Sequence, residues 1–204
     1  MTAFSPKITA VAIGLIGGFW LAGVALASDT AATKLAHDVC AGCHGVDGNS
    51  VVPNFPKLAG QQKVYLLREL KDYRSGKRVS DIMAPFVAGL GDDDLEQLAA
   101  YYAKQTPAPG VVNNPGLLAV GKSLYLNGNS ANDVPSCESC HETDGSGSGK
   151  FPRVAGQHSE YALDQFRLYA TGKRTNGARV MKAVAERMTE AETRAVAEYM
   201  ASMP

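Results

Sequence analysis

The second half of this chain restates the first. Cys40-Ala41-Gly42-Cys43-His44 returns about 97 residues later as Cys137-Glu138-Ser139-Cys140-His141. The match continues downstream: residues Phe55 to Gln61 (Phe-Pro-Lys-Leu-Ala-Gly-Gln) reappear as Phe151 to Gln157 (Phe-Pro-Arg-Val-Ala-Gly-Gln), and Tyr73 to Arg78 reappear as Tyr169 to Arg174. Self-similarity on this scale predicts two copies of one fold. Between the copies, the segment Thr106 to Pro115 contains Pro107, Pro109, Gly110 and Pro115, which exclude a continuous helix and suit an extended linker. We therefore divide the 204 residues into a targeting segment, 1–27, and two domains, 28–109 and 110–204.

Within each copy the apolar residues recur at helical rather than alternating spacing. Leu66, Leu70 and Tyr73 share one helical face, as do Ala162, Phe166 and Tyr169 in the repeat. The closing segments match too. Leu95, Leu98 and Tyr102 follow an acidic start at Asp92 to Asp94, where negative charge favours a helix N-terminus. Thr189 and Glu192 have the spacing of a capping box ahead of Val196 and Met200. No run reads as a strand, so the expected class is all-α. Each repeat has only about 80 to 95 residues, a size at which a core of side chains alone is marginal. A buried prosthetic group in each would supply the missing apolar volume.

The amino terminus carries a separate instruction. Lys7 precedes an apolar run from Ile8 to Leu26 that closes on Ala25-Leu26-Ala27, the pattern of a secretory signal cleaved after Ala27. The run is long enough to suggest an uncleaved anchor instead, but Gly14, Gly17 and Gly18 weaken a membrane span. Beyond Leu26 no second segment has the length to cross a bilayer, so peripheral association is the most that is expected. With 20 basic and 20 acidic residues and no long run of either sign, the chain has no electrostatic footprint for nucleic acid.

Four cysteines in an exported protein would ordinarily suggest disulfides. Their spacing argues for covalent haem. In Cys-x-x-Cys-His two thiols add to the vinyl groups of one porphyrin, and the adjacent imidazole is carried to the iron. A zinc site is disfavoured because a histidine directly after the second cysteine could hardly join the same tetrahedron. A thioredoxin-like pair is disfavoured because no alternation of strand and helix surrounds it. Two haem c groups are therefore expected, attached at Cys40 and Cys43 and at Cys137 and Cys140, with His44 and His141 as proximal ligands.

If these irons have His/Met ligation, the repeat selects the methionines. Met83 is the only methionine in residues 28–109; the second half offers Met181, Met188, Met200 and Met203. Met83 precedes Leu90 by the interval that separates Met181 from Met188, so Met83 pairs with Met181 and Met188 with a core position. Met200 and Met203 read as packing and tail. Each ligating imidazole needs an acceptor for its other N–H. The carbonyls of Pro56 and Pro152 are placed to serve, although each proline equally well only shapes a turn. His37 reads as a solvent-facing helix residue, and His158 aligns with Gln62, which gives it no role as a ligand. Lys77-Arg78 and Lys173-Arg174 read either as partners of haem propionates or as solvated basic loops, and Tyr101 and Tyr199 as core aromatics.

On these motifs the chain resembles the di-haem cytochrome c4 family across nearly its whole length after the targeting segment. The resemblance rests on the two haem motifs, the segments at 55–61 and 151–157, those at 73–78 and 169–174, and the equivalent Met83 and Met181. It implies a bilobal, all-α protein of two tandem class I cytochrome c domains, each wrapped around one covalent haem. It implies His44 and Met83 as axial ligands of one iron, and His141 and Met181 of the other. It also implies a periplasmic electron carrier, not an enzyme, working between a cytochrome bc complex and terminal oxidases or reductases. One departure is the polar loop Asn127 to Ser136 ahead of the second haem motif, longer than anything before Cys40.

Two other functions fit parts of the pattern. A di-haem subunit of a sulfide-oxidising flavocytochrome would share the repeat but live bound to a flavoprotein. A di-haem peroxidase would need one iron open to peroxide, and both the paired methionines and the short chain count against it.

Overall fold

A computed structural model describes residues 1–3, 31–177 and 179–204. Residues 4–27 of the expected targeting segment lie outside the described residues. Among the described residues no helix is long and apolar enough to cross a membrane.

The fold is all-α, and its order repeats. In the first half α1 (Ala31–Leu35) widens through a π turn, Ala36–Cys40, into α2 (Ala41–His44), followed by α3 (Lys63–Arg74), α4 (Met83–Val87) and α5 (Asp92–Ala103). In the second half α6 (Leu118–Asn127) leads to α7 (Glu138–His141), α8 (Ser159–Ala170), α9 (Arg179–Arg187) and α10 (Glu190–Ser202). The β structure among the described residues consists of two isolated bridges, Asn129 with Val134 and Ser148 with Phe151.

The helix ends follow from the local sequence. Thr189 caps α10: its hydroxyl accepts from the Glu192 N–H at 3.2 Å, and the Glu192 carboxylate accepts from the Thr189 N–H at 2.8 Å. At α5 the Asp94 carboxylate accepts from the Gly91 N–H at 2.9 Å, so one of the acidic residues at this N-terminus also satisfies an orphan donor. The first core gathers Leu66 from α3 with Leu98, Ala99 and Tyr102 from α5. The second gathers Tyr125 from α6, Phe166 and Tyr169 from α8, and Val196, Ala197 and Met200 from α10. There α6 and α10 cross closely because position 121 is glycine: a Cβ on Gly121 would sit 2.0 Å from the Ala195 carbonyl oxygen.

The long loop before the second haem motif is folded. Asn129 and Val134 exchange main-chain hydrogen bonds of 2.8 and 2.9 Å, and Val134 is buried in the core. The Asn129 amide donates to Glu192 at 2.7 Å, and Arg187 donates to the Asp133 carbonyl at 2.9 Å, which ties the loop to α10 and α9. Sequence pattern showed its length and polarity but not these long-range anchors.

The halves meet through equivalent residues. The Gln61 amide donates to the Arg153 carbonyl at 2.9 Å and accepts from the Arg153 N–H at 2.7 Å. Gln157 does the same to Lys57, donating at 3.0 Å and accepting at 2.9 Å. The next residue along repeats the arrangement: Gln62 donates to the Ser146 carbonyl at 3.0 Å, and His158 donates to the Ser50 carbonyl at 2.9 Å. His158 is thus a buried interface residue. The linker has no regular structure before Pro115, which opens a short 3-10 turn, and it is held down: Lys57 donates to the Ala108 and Pro109 carbonyls at 3.0 and 2.6 Å, and Asn49 bridges the Thr106 carbonyl and the Ala108 N–H.

Both haem motifs end in a left-handed turn, but with different residues. Gly45 closes α2 at φ 76°, ψ 154°, whereas Glu142 closes α7 at φ 65°, ψ 157°, a region that only glycine enters freely. The Tyr125 hydroxyl donates to the Glu142 carbonyl at 2.6 Å and helps hold it there. Such a residue costs on the order of 1–3 kcal/mol, and glycine's extra chain entropy takes back roughly 0.5–1 kcal/mol. Glu142→Gly should therefore raise stability by about 1 kcal/mol. Chemical denaturation of the wild type and the variant checks this; a lower midpoint would contradict the strain.

Candidate functional site

Both motifs are wound into one helical turn, which is what brings two sulfurs and an imidazole to a common target. Cys40 ends the π turn, and Cys43 and His44 lie in α2; Cys137 caps α7, which carries Cys140 and His141. All four cysteines are unpaired. In the polypeptide before haem attachment, burial raises the pKa of the Cys40 thiol and pushes that of Cys137 up to about 11.

The two imidazoles are held alike. His44 Nδ1 donates to the Pro56 carbonyl at 2.9 Å, and His141 Nδ1 donates to the Pro152 carbonyl at 2.9 Å. A proline carbonyl can only accept, so the proton sits on Nδ1 and the Nε2 lone pair is free. Burial lowers the pKa of both rings, against the smaller raising effect of these carbonyls. Both are therefore neutral, as a metal-ligating imidazole must be. The prolines do more than shape a turn: each fixes the tautomer and orientation of its histidine.

Met83 opens α4 and Met181 lies in the first turn of α9, both partly buried. All the predicted residues reach one cavity. A continuous space of about 1050 Å³ is lined by Cys40, Cys43, His44 and Met83 from the first half and by Cys137, Cys140, His141 and Met181 from the second. Its walls are mainly apolar, with Leu66, Leu70 and Leu98 on one side and Phe166, Val184 and Met200 on the other. The Tyr102 hydroxyl is buried on the same wall, beside the Cys40 thiol. Twin sets of two thiols, an imidazole with a free Nε2 and a thioether, in one apolar chamber, fit two porphyrins bonded through sulfur.

The remaining candidates divide. Lys77 and Lys173 are exposed, whereas Arg78 and Arg174 are 7% and 5% exposed and stand between the two halves, so a solvated loop describes only the lysines. Met200 lines the cavity, and Met203 is buried against Gly145 in place of trailing as a tail. His37 is exposed but hydrogen-bonded to the Tyr101 hydroxyl at 3.0 Å, and Tyr101 donates to the Val46 carbonyl at 2.9 Å. Tyr101 and Tyr199 are half-buried and not full core residues. Sequence reasoning missed Tyr65, Glu69, Tyr161, Gln165 and Asn176, which pack around the two arginines. The signal available was a glutamate and an aspartate, Glu69 and Asp72, on a helix otherwise read for its apolar face.

Fold and site together define a c-type cytochrome with two haem domains in tandem. The cytochrome c family model matches residues 30–105 and 118–204, either side of the linker. Cytochrome c4 of Pseudomonas aeruginosa is 37% identical over 92% of this chain and 96% of its own length. The crystal structure of reduced recombinant cytochrome c4 from Pseudomonas stutzeri superposes with a TM-score of 0.79 at 34% identity, covering 85% of this chain and 98% of that one. A thiosulfate dehydrogenase electron acceptor of Stutzerimonas stutzeri is 36% identical over 80% of this chain and 78% of its own. The chain belongs to the di-haem cytochrome c4 family, carries two covalently bound haem c groups, and is an electron-transfer protein with redox partners.

Replacing Cys40 and Cys43 together by alanine should leave a polypeptide that carries one haem. Mass spectrometry checks this: the intact protein should lose one of its two haem increments while the increment on residues 137–141 persists.

Proposed function

We propose that the protein is a diffusible periplasmic carrier that takes electrons from a cytochrome bc complex and gives them to a terminal oxidase or reductase. The observation that carries this reading is that two imidazoles with a free Nε2, His44 and His141, and two methionine thioethers, Met83 and Met181, line one cavity; we pair His44 with Met83 and His141 with Met181, one pair from each half. When bound, each haem supplies one electron by passing between its ferrous and ferric states. The chain's own residues do the rest. The imidazoles, fixed by Pro56 and Pro152, and the two thioethers would hold the irons, which would leave no place for a substrate and favour a high potential. The apolar walls keep water away from the porphyrin faces. Docking then needs only a small, transient interface near an exposed edge. Secretion through the segment at 1–27 would deliver the chain to the compartment where such haems are attached.

A second reading has support of its own in the relative that acts as electron acceptor of thiosulfate dehydrogenase. The chain would then receive electrons from a dehydrogenase of inorganic sulfur compounds, and in the form of a sulfide-oxidising flavocytochrome subunit it would copurify with flavin. A red protein that purifies alone, is reduced by the bc complex and is not reduced by a sulfur dehydrogenase supports the carrier; a stable flavin-containing complex supports the subunit.

Met83→Ala and Met181→Ala test the ligands. Each should abolish the methionine-to-iron charge-transfer absorption of one haem, lower the potential of that haem, and leave the other unchanged. Redox titration of the wild type should show two high-potential one-electron steps. Retention of both charge-transfer bands in either variant would overturn the assignment, and fast peroxide turnover by the wild type would overturn the closed coordination.

A further inference from the structure

Met83 and Met181 are equivalent, but the segments that deliver them differ in length. Four residues separate Arg78 from Met83, and six separate the equivalent Arg174 from Met181. In the first half the shorter segment is fastened from within: Ser80 Oγ accepts from the Met83 N–H at 3.1 Å, at the start of α4. In the second half the longer segment includes Asn176, which is wholly buried, and Gly177, at φ 78°.

Asn176 reaches into the opposite half. Its amide nitrogen donates to Glu69 Oε2 at 2.8 Å and to Asp72 Oδ2 at 2.9 Å, both on α3. Its amide oxygen accepts from Arg174 Nε at 3.2 Å, so acceptors on one side and a donor on the other fix the orientation of the amide. Burial would raise the pKa of Glu69, but Arg174 and Arg78 outweigh it and hold the carboxyl below its usual range, which keeps this acceptor ionised. Arg78 and Arg174 donate to the same Glu69 oxygen at 2.7 and 3.0 Å, and Arg68 donates to the other, Oε1, at 3.1 and 3.2 Å. Gly177 lies against that Arg68: a Cβ there would sit 3.3 Å from the guanidinium carbon.

Tyr65, Arg68, Glu69 and Asp72 are spaced three or four residues apart and so share one face of α3. The equivalent face of α8 carries Tyr161, Asp164, Gln165 and Leu168. Tyr161 and Gln165 accept from Arg78 at 3.1 and 2.9 Å, as Tyr65 and Glu69 accept from Arg174. Asp164, however, is exposed and bonded to Gln165 and Arg167 of its own helix, and Leu168 has no group to accept from an amide. The arginines are thus exchanged in both directions, whereas the amide clamp runs one way, from the loop of the second half to the helix of the first. Since α9 begins at Arg179 and holds Met181 in its first turn, the turn that bears the thioether hangs from the clamp. Resting on the reading of Met83 and Met181 as iron ligands, we propose that Asn176 is a positioning residue for Met181, through which Glu69 and Asp72 of the first half hold the methionine of the second half at its iron.

The test uses the full di-haem protein, with Asn176→Ala and Asp72→Ala each titrated with imidazole, which competes with methionine for ferric iron. Met83→Ala and Met181→Ala identify the charge-transfer band and the binding phase that belong to each haem. In both test variants imidazole should bind the Met181 haem roughly tenfold more tightly than in the wild type, the factor expected when one buried hydrogen bond to a charged group is lost. The Met83 haem should bind it as in the wild type. Asp72→Ala is the sharper case, because the change lies in the first half, on a side chain that does not line the cavity, and its effect falls on the other half. Lys77→Ala, which removes the other partner of Asp72 at 3.4 Å, should leave both haems unchanged. A merely structural role would loosen Met83, in the same half as Asp72, or both methionines equally. Either result, an equal effect of Lys77→Ala, or an unchanged affinity at the Met181 haem in loaded protein would overturn the proposal. Should Asn176→Ala load haem poorly, Asp72→Ala decides alone. If Met181→Ala leaves both charge-transfer bands in place, the ligand reading itself fails; a sound ligand assignment with indifferent Asn176 and Asp72 variants defeats the clamp alone.

Discussion

The acceptance of one imidazole proton by a proline carbonyl is the small interaction on which both sites depend. Without it a neutral histidine chooses between two tautomers and several ring orientations. With it, Nδ1 carries the proton, Nε2 is left bare, and the ring of His44 or His141 is aimed into the chamber. Proline suits the task because its own nitrogen has no hydrogen, and its ring restricts the turn that presents the carbonyl. The segments Phe55 to Gln61 and Phe151 to Gln157 therefore serve two ends at once. Pro56 and Pro152 orient a histidine within the half, and Gln61 and Gln157 grip the main chain of the opposite half.

That double use explains why the two sites open on one space. The glutamines address backbone groups of Arg153 and Lys57, residues that lie next to the prolines, so the turn that aims each imidazole is the turn that the other half holds. Each such bond contributes about 1 kcal/mol net, but the set is reciprocal and repeated. Around it the buried arginines, tyrosines and carboxylate form a polar seam in an otherwise apolar chamber, with its hydrogen-bonding groups satisfied by one another. Burying two guanidinium groups would be costly without Glu69, the tyrosine rings beneath them and the hydroxyls opposite.

Much of this was legible because the chain offers two readings of each position. Duplication singles out Met181 among four methionines as the counterpart of Met83, and it pairs α3 with α8 and α5 with α10. The capping box at Thr189 and Glu192 was visible from spacing alone. What stayed hidden has a common physical reason. Arg78 and Arg174 follow the glycine of a tight turn and look like any solvated basic pair; only the opposing half, about 90 residues away in the chain, shows that they are buried. His158 aligns with a glutamine and so seemed idle, yet both residues donate across the interface. Local pattern reports a residue's own element well and its distant partners poorly.

The fastened linker has a consequence for rate as well as for shape. Ala108, Pro109 and Thr106 are bound to Lys57 and Asn49, so the connection behaves as a strut and not a hinge. Electron tunnelling decays steeply with distance, and a pair of centres on a hinge would sample a spread of gaps and therefore a spread of rates. A strut holds one gap, and the exchange between the centres becomes a fixed property of the molecule, insensitive to the viscosity of its surroundings.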